Sequence, residues 1–560
     1  MNVHAYWKGT PRRRQFLRGG LALAAGSAAF ALACGGDDDN EQGQATATGG
    51  PAQGTTAAAT AEGAKRGGRI LLANLNTTQS LNPITDSGQR LTLGALHVWD
   101  RLVSPRVTRD YVLEAAQSVE LPDPTTVVFK LKPGLTFQNR APVNGRPLDT
   151  QDIVKSQEYV RDEPRAGNNA FQRASMESVE TPDAQTIAFT LKAPNAYIFS
   201  GTQLGEPGAQ CIFAKEQIGN LDTAWSVGSG PYEMVEHDLN VRYLYRRFPG
   251  FRDAGKGLPY IEEREFRVIA DAAAAEAAFR SEQLHIWQAP IPAVADTLKK
   301  DLGAKIEADE YLTLAMQTVS ANVTKGPPWT DPRVREALYR VTNRKQYLDL
   351  ILEGKGQVPA GPLPAGLTDY QLTDAQTEKY FKQDPRAGRQ LLEAAGFDFN
   401  REVEILTITG TANTQSCEIL QEQLSTMGVK SRIVALGTAE YLSTRIATGN
   451  WETMAVGWPG YDTPQTPLRL HHTQTNHIHQ YHGLKDPAID AMIEKSEVTL
   501  DKDERAKLVK DIQIALLDKY TPYIWVYNAT IFQMRWKYVR DYETNPATHP
   551  MYRTEMWLDK

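Results

Sequence analysis

The sequence predicts an α/β protein with at least two lobes. About 495 of the 560 residues follow position 64, more than one hydrophobic core usually organises. In the second half, segments with helical periodicity alternate with short apolar strands, a pattern typical of an α/β lobe. The content of 41% hydrophobic and 9% aromatic residues is that of an ordinary globular protein.

Residues 1–34 have the features of an export signal. A twin arginine within 13–18 precedes a thirteen-residue apolar run at 21–33, which is too short to span a bilayer, and Cys34 follows. Residues 13–18 resemble the twin-arginine export signal, and 31–34 resemble a bacterial lipobox, whose cysteine is acylated. The alternative is an ordinary amphipathic N-terminal helix. We expect export and a lipid anchor at Cys34.

Residues 35–64 differ in composition from the chain that follows. They consist mainly of Gly, Asp, Gln, Ala and Thr, with hardly any aliphatic side chains. Such a segment cannot bury enough apolar surface to offset its chain entropy. The composition predicts a flexible tether between a lipid anchor and a folded body.

The first half of the body contains mainly β patterns. Residues 126–131 alternate apolar and polar side chains up to a Lys-Pro-Gly turn, and 185–191 repeat the alternation. An Ala-rich segment follows later and favours a helix. The predicted elements are strands at 69–72, 126–131 and 185–191, a helix at 272–283 and a strand at 284–287.

In the second half, capping residues mark where helices begin and end. Asp331 and Pro332 have the residue types preferred at the N-cap and first position of a helix. Gly396 and Gly428 are placed to end two later helices. The predicted elements are helices at 332–347, 384–396, 414–426 and 501–519, and strands at 403–407, 429–434 and 523–527.

The sequence lacks the motifs that mark common catalytic sites. There is no GxSxG, HExxH or GxxxxGK[ST] pattern, and the Gly-Ser-Gly at 228–230 is typical of a turn. The body contains only Cys211 and Cys417, without CxxC or zinc-site spacing. A net charge of −6 gives no basic face for nucleic acid. Carboxylate chemistry is unsupported rather than excluded, and we expect a protein that is not an enzyme.

Short stretches distributed over residues 65–557 point to one family. They are RGGRI at 66–70, SLNP at 80–83, TVVFKLKPGLTF at 126–137, LDTQDI at 148–153, VGSGPY at 227–232, LPY at 258–260, TDPRVREAL at 330–338 and LLEAAGF at 391–397. In these stretches and their order, the chain resembles the extracytoplasmic solute-binding proteins of ABC importers, of the oligopeptide/dipeptide/nickel type (family 5).

This resemblance implies the two-lobed fold of periplasmic binding proteins, an α/β fold of the Venus-flytrap type. The first lobe would comprise residues 65–307 and 519–560, with an extra subdomain at about 111–221, and the second lobe residues 308–518. Asn322 and the strand at 523–527 would then lie near the two connections between lobes. Since Cys211 and Cys417 would lie in different lobes, we expect two free thiols. A ligand that contacts both lobes only when they are closed would couple binding to closure.

The family also indicates where the ligand would bind. Trp458, Tyr461 and Asp462 lie on a loop that, in relatives, supplies aromatic walls and an Asp for the α-ammonium of a peptide. Here Gly460 and Tyr461 precede the Asp, where the peptide binders have a shorter spacing. A carboxylate and aromatic faces both attract a cation. The alternatives are a turn cap for Asp462 and core packing for both aromatic residues.

Two further residues complete the candidate ligand-binding set. Trp287 ends a predicted first-lobe strand, and core packing is the more favoured interpretation for it. Asn322 belongs to the set because it would lie near a connection between the lobes.

A group of histidines is the most unusual local feature of the sequence. Half of the ten histidines lie within a dozen residues, at His471, His472, His477, His479 and His482. The surrounding residues are polar, which favours a surface loop. The alternative is a metal or metal-chelate site using His471, His477 and His479. No acidic or thiolate ligand is interleaved, so we expect no resident metal or cofactor.

The sequence therefore predicts a monomeric, membrane-tethered, extracytoplasmic protein that captures a solute and delivers it to ABC permease subunits. The favoured ligand is a short peptide or peptide-like amine. Nickel or metal chelates and oligosaccharides are alternatives on the same fold. A secreted hydrolase is disfavoured by the missing nucleophile motifs, and a sensory or chaperone-like binding protein without a permease stays open.

Overall fold

The structure, a computed structural model, describes residues 63–74, 80–86, 97–105, 111–166, 169–222, 225–238, 241–269, 271–458, 460–473, 484–544 and 554–560. The predicted export signal, Cys34, nearly all of the predicted tether, His477, His479 and His482 lie outside these residues. None of the helices in the described part combines the length and apolar content that crossing a bilayer requires.

Strands and helices alternate through most of the described chain. The strands are β1 (Arg69–Asn74), β2 (Val103–Pro105), β3 (Tyr111–Leu113), β4 (Ala116–Asp123), β5 (Thr126–Leu131), β6 (Met176–Asp183), β7 (Thr186–Leu191), β8 (Tyr232–Asp238), β9 (Arg242–Arg247), β10 (Glu263–Val268), β11 (Ile286–Ala289), β12 (Ile306–Leu312), β13 (Met316–Ala321), β14 (Gly356–Gln357), β15 (Glu402–Ile408), β16 (Lys430–Leu436), β17 (Thr453–Trp458), β18 (Tyr523–Trp536), β19 (Val539–Arg540) and β20 (Trp557–Leu558).

The α-helices in the same part of the chain are α1 (Thr150–Asp162), α2 (Ala272–Arg280), α3 (Pro292–Leu302), α4 (Pro332–Val341), α5 (Arg344–Leu352), α6 (Asp374–Phe381), α7 (Pro385–Ala394), α8 (Thr411–Thr426), α9 (Thr438–Glu440), α10 (Gln465–Arg469), α11 (Pro487–Val498) and α12 (Lys502–Asp518). One π-helical turn, Phe171–Ser175, precedes β6, and another, Tyr441–Ile446, follows α9.

The long strand β18 joins two sheets. Its first residues pair with β13, in an arrangement with the order β16-β15-β17-β13-β18, which we call the second sheet. Its last residues pair with β11 and β12 and continue through β1, β10, β9 and β8, which we call the first sheet. The chain passes between the sheets at residues 313–315 and again within β18 at 528–529. At this crossing Thr313 donates its amide to the carbonyl of Ala529, 2.9 Å away.

A separate antiparallel sheet has the order β4-β5-β7-β6. In its two hairpins the pairing register shifts at equivalent positions, which indicates that the two halves have the same structure. In each hairpin turn an aspartate accepts a backbone amide two residues later, at Asp123 and Asp183. The inward side chains pack with Ile153 of α1 into one core. This four-stranded sheet lies within the predicted subdomain at about 111–221.

The second sheet has two differently covered faces. Val319, Ala455 and Ile524 point to the face covered by α4, α5, α7 and α8. Their neighbours in sequence point to the opposite face, because side chains alternate along a strand. Cys417 lies in the helix-covered core and Cys211 in the core of the first sheet, and no disulfide joins them.

Most predicted elements agree with the structure to within three residues at their ends; for example, the strand expected at 284–287 is Ile286–Ala289. Two elements differ more. The helix expected at 332–347 is two helices, since the backbone of Thr342 is extended and the Asn343 side chain caps α5 by accepting the Gln346 amide. The strand expected at 523–527 is longer than predicted and continues to Trp536, because its second part pairs with the first sheet.

Candidate functional site

Aromatic side chains cover one end of the second sheet. Trp458 ends β17, while Tyr523 and Trp525 begin β18, and the alternation of each strand directs all three to the face without the large helices. The Tyr523 ring lies 5.5 Å from that of Trp525 and 6.4 Å from that of Trp458. We call this surface the aromatic face.

Tyr461 and His471 extend the aromatic face. Burial raises the pKa of the Tyr461 hydroxyl to about 12, and its ring packs against the same cluster. The imidazole of His471 meets the Tyr523 ring edge-on at 6.1 Å, and its Nδ1 lies 3.0 Å from the Thr521 hydroxyl. Burial lowers the pKa of His471 to about 3, so the ring is neutral near pH 7.

The surface-loop interpretation of the histidine group is wrong for its first two members. His471 and His472 are each only 2% exposed, because the segment after α10 folds inward against α11 and β18. Nε2 of His472 lies 3.1 Å from the Glu494 carboxylate. Within the described residues, no three acidic, histidine or cysteine side chains are grouped to hold a metal ion.

Asp462 makes a contact with a distant part of the chain. One of its carboxylate oxygens accepts the backbone amide of Gly201, 2.8 Å away. Gly201 follows Phe199 and precedes Leu204, both of which are buried in the core of the four-stranded sheet. A Cβ atom on Gly201 would lie 3.3 Å from the carboxylate, so glycine permits this close approach. Asp462 therefore bonds to a turn from another part of the fold.

The residues around Gly201 make further contacts with the C-terminal helices. We call residues 195–203 the contact segment. The amide of Ala196 donates to the Glu497 carbonyl at 2.7 Å. Arg505 of α12 places its guanidinium 5.4 Å from the centre of the Tyr197 ring. Several independent contacts therefore hold the contact segment against α11, α12 and the loop that carries Asp462.

The N-terminus of α8 lies beside the end of β17. Asn413, in the first turn of α8, accepts the amide of the exposed Gly457 at 3.2 Å. Among the described side chains, none caps the helix at Gly410. The amide side chain of Gln317 approaches Gly457 on the same side of the sheet. A helix N-terminus favours negatively charged groups.

Three buried hydrogen-bond donors near these residues lack an acceptor within the described chain. They are Nε2 of Gln317, Nε1 of Trp525 and the hydroxyl of Thr463. Buried polar groups in proteins are almost always hydrogen-bonded. A ligand that offers oxygen acceptors would satisfy such donors.

Trp287 and Asn322 lie away from this site. Trp287 is 4% exposed and packs in the core of the first sheet with Phe279, at a ring distance of 6.2 Å. Asn322 is fully buried, and its amide nitrogen donates to the carbonyls of Gly449 and Trp451 at 3.1 Å. It lies at the far end of β13 from the crossing, so the structure brings neither residue to the aromatic face.

Sequence reasoning missed Gly201, Gln317 and the aromatic pair on β18. The sequence did indicate the pair, since Tyr523 and Trp525 are two residues apart in a predicted strand and so share a face. No local pattern indicated Gly201 or Gln317, because their positions depend on contacts that are distant in sequence.

Comparisons with known proteins agree with this architecture. Residues 110–477 match the family model for bacterial extracellular solute-binding proteins, family 5. A probable di/tripeptide-binding protein of Pseudomonas aeruginosa is 23% identical over 448 residues, which are 75% of this chain and 81% of the relative.

Two solved structures share the fold. The oligopeptide-binding protein AppA of Bacillus subtilis, in complex with a nonapeptide, has a TM-score of 0.75 at 19% identity, covering 89% of this chain and 100% of AppA. The periplasmic binding protein DppA of Helicobacter pylori, in complex with the peptide STSA, has a TM-score of 0.76 at 22% identity, covering 89% and 99%. This chain is therefore an extracytoplasmic solute-binding protein, a member of bacterial extracellular solute-binding protein family 5 with its two-lobed fold.

Proposed function

We propose that this protein captures a short peptide between its lobes and delivers it to an ABC permease while tethered to the membrane through Cys34. The first lobe contains the first sheet and the four-stranded sheet, and the second lobe contains the second sheet. The proposal rests chiefly on Asp462, a second-lobe carboxylate that meets Gly201 of the first lobe beside the aromatic face. A ligand held there would contact both lobes.

Asp462 and the polar groups at the end of the second sheet suit the two ends of a peptide. The carboxylate would attract an α-ammonium, and the aromatic face adds area and cation–π attraction. The uncapped start of α8 favours a negative group, such as a terminal carboxylate. The unpaired donors on Gln317, Trp525 and Thr463 would bind peptide carbonyls. The peptide ligands in the names of similar proteins support the same ligand class.

Peptide titration tests this proposal directly. Protein unfolded and refolded to remove any co-purified ligand is titrated with di-, tri- and tetrapeptides by calorimetry, with N-acetylated and C-amidated versions as matched controls. We expect free termini to bind at least tenfold more tightly than blocked ones, since a charged partner is lost on blocking. Scattering should show a smaller radius of gyration with ligand. Equal affinity for blocked peptides, or binding only of sugars or metal chelates, would contradict the peptide assignment.

The membrane tether requires a separate experiment. Cys34→Ser should release the protein from the membrane fraction, and replacing the twin arginine with lysines should leave the precursor in the cytoplasm. A Cys34→Ser protein that stays in the membrane fraction at high salt would exclude the lipid anchor.

A further inference from the structure

A cavity lies in the second lobe, away from the aromatic face. Its volume is about 490 Å³, and it opens where α4 ends and α5 begins. The lining residues are Thr342, Asn343, Arg344, Lys345, Leu348, Gly356, Gln357, Val358, Phe381 and Gln383. Leu348 and Phe381 pack on the helix-covered core, so the cavity lies on the face of the second sheet opposite to the aromatic face.

Arg344 is the main charged group of this cavity, and it forms no ion pair with any described carboxylate. Its guanidinium stacks 3.5 Å from the centre of the Phe381 ring, and Nη1 donates to the Pro359 carbonyl at 2.6 Å. The exposed Asp374 acts on it only through space, and burial lowers its pKa to about 10. Lys345, on the same rim, is already paired with Asp349.

The exposed Arg389, in the same lobe, makes similar contacts but also has a counter-charge. Arg389 also stacks on a phenylalanine, Phe399, at 4.4 Å, and also donates to a backbone carbonyl, that of Met427. However, Arg389 has a carboxylate partner in Glu393, 2.8 Å away. Charged groups removed from water are usually paired, because an uncompensated charge is costly. Within the described residues, Arg344 therefore lacks the counter-charge that even the more exposed Arg389 has.

We propose that this cavity binds an anion that presents a phosphate or carboxylate group, separately from the ligand between the lobes. The planar guanidinium can hold two oxygens at once, and its stacking on Phe381 fixes the plane in which they must lie. Gln357 and Gln383 line the same cavity and supply amide donors to the remaining oxygens.

The position of the cavity links it to the crossing between the lobes. Gly356 and Gln357 of β14, on its wall, pair with Ala529 and Asn528, where β18 passes from one sheet to the other. Arg344 is bonded to the segment just after β14. An anion that binds both Arg344 and Gln357 would therefore connect α5 to β14, the strand that pairs with β18 at the crossing.

Binding of inorganic phosphate tests the proposal on the intact folded protein. Calorimetry and thermal melts are run with phosphate, using chloride at equal ionic strength as the reference. We expect saturable binding and a rise in melting temperature for the wild type, since a ligand that binds only the folded state stabilises it. Arg344→Gln should weaken phosphate binding at least tenfold, Arg344→Lys should weaken it less, and Arg389→Gln should leave it unchanged. Asp462→Asn should not alter it, which separates this site from the peptide site.

Two outcomes would overturn the anion site. One is a wild type that responds to phosphate no more than to chloride. The other is an Arg344→Gln protein that is folded by circular dichroism and binds phosphate as the wild type does. Arg344→Lys retains the charge, so it provides a second variant if Arg344→Gln fails to fold.

Vesicle flotation identifies the source of the anion, which is either a free solute or a lipid headgroup. Cys34→Ser protein is used, so that an acyl chain does not drive flotation. Flotation with phosphatidylglycerol but not phosphatidylcholine vesicles, lost in Arg344→Gln, would assign the site to lipid phosphate. Phosphate binding without flotation would assign it to a soluble anion.

Discussion

Asp462 accepts a hydrogen bond from the backbone amide of Gly201, a residue 261 positions earlier in the chain. The bond joins a loop of the second lobe to the contact segment that packs on the four-stranded sheet. Ala196 adds a second backbone bond, to Glu497. We therefore expect recognition of a ligand ammonium and contact between the lobes to involve the same side chain.

The first prediction separates these two roles of Asp462. In Asp462→Asn the amide oxygen can still accept the Gly201 N–H, but the negative charge is lost. Removing one partner of a buried charged pair costs about 2–5 kcal/mol, so calorimetry should show at least tenfold weaker binding of peptides with a free amino terminus. N-acetylated peptides should bind the variant and the wild type alike. Unchanged affinity for every ligand of the wild type would remove Asp462 from the site.

The second prediction concerns closure. A Cβ on Gly201 would lie 3.3 Å from the Asp462 carboxylate, tighter than an ordinary contact, so Gly201→Ala should push the Asp462 loop away. A lost hydrogen bond of this kind costs about 0.5–1.5 kcal/mol, which corresponds to roughly twofold to tenfold weaker ligand binding.

Gly437→Ala is the matched control for closure, because Gly437 has an ordinary negative φ and no atom within 4 Å of the added carbon. Small-angle scattering with ligand should show less compaction for Gly201→Ala than for this control. Identical affinity and compaction in both variants would mean that the Gly201–Asp462 bond does not contribute to the closed state.

Local sequence patterns predicted most elements. Of the two main errors, the divided helix has a local cause, and the longer β18 results from pairing that is distant in sequence. The alternation at 126–131 predicted β5 with the correct ends, because neighbouring turns define that strand. The helix at 332–347 was predicted as one, since its apolar periodicity continues through Thr342, whose extended backbone ends α4. The resemblance predicted the two-lobed fold, and the comparisons confirm it.

The site was less predictable than the fold. Trp458 and Tyr461 do lie with the aromatic face, but the partners Tyr523 and Trp525 come from a strand more than sixty residues later. The polar composition around His471 suggested a surface loop, yet its burial follows from packing on Thr521 and Tyr523. Such burial depends on which elements meet, and local composition does not contain that information.

The third prediction concerns acid stability. Burial lowers the pKa of His471 to about 3, well below the usual value near 6.5, so the unfolded chain binds a proton there that the folded protein does not. The stabilising effect of the neutral ring is complete above pH 6.5 and is lost as the pH falls toward 3. Within this window one such group changes the unfolding free energy by about 1.4 kcal/mol per pH unit.

Denaturant titrations at several pH values between 7 and 4 check this slope. His471→Gln should lose stability less steeply on acidification than the wild type. His285, in the first lobe, also has its pKa lowered to about 3, first by burial and then by Lys560 and Arg267, and His285→Gln should reduce the slope independently. A wild-type slope retained in His471→Gln would show that this ring does not titrate between folded and unfolded states.

The last prediction concerns the two body cysteines. Both side chains are fully buried, Cys211 in the core of the first sheet and Cys417 in the helix-covered core of the second. Burial raises the pKa of Cys417 to about 12 and that of Cys211 further still, so neither is a reactive thiolate at neutral pH. We expect the folded protein to resist a thiol reagent, with or without ligand. The experiment uses Cys34→Ser protein, which retains only these two cysteines. After unfolding in guanidinium, both should react rapidly, and mass spectrometry should show two labels per chain. A Cys211–Cys417 disulfide peptide would contradict this arrangement, because it would join the cores of the two sheets and prevent the lobes from opening.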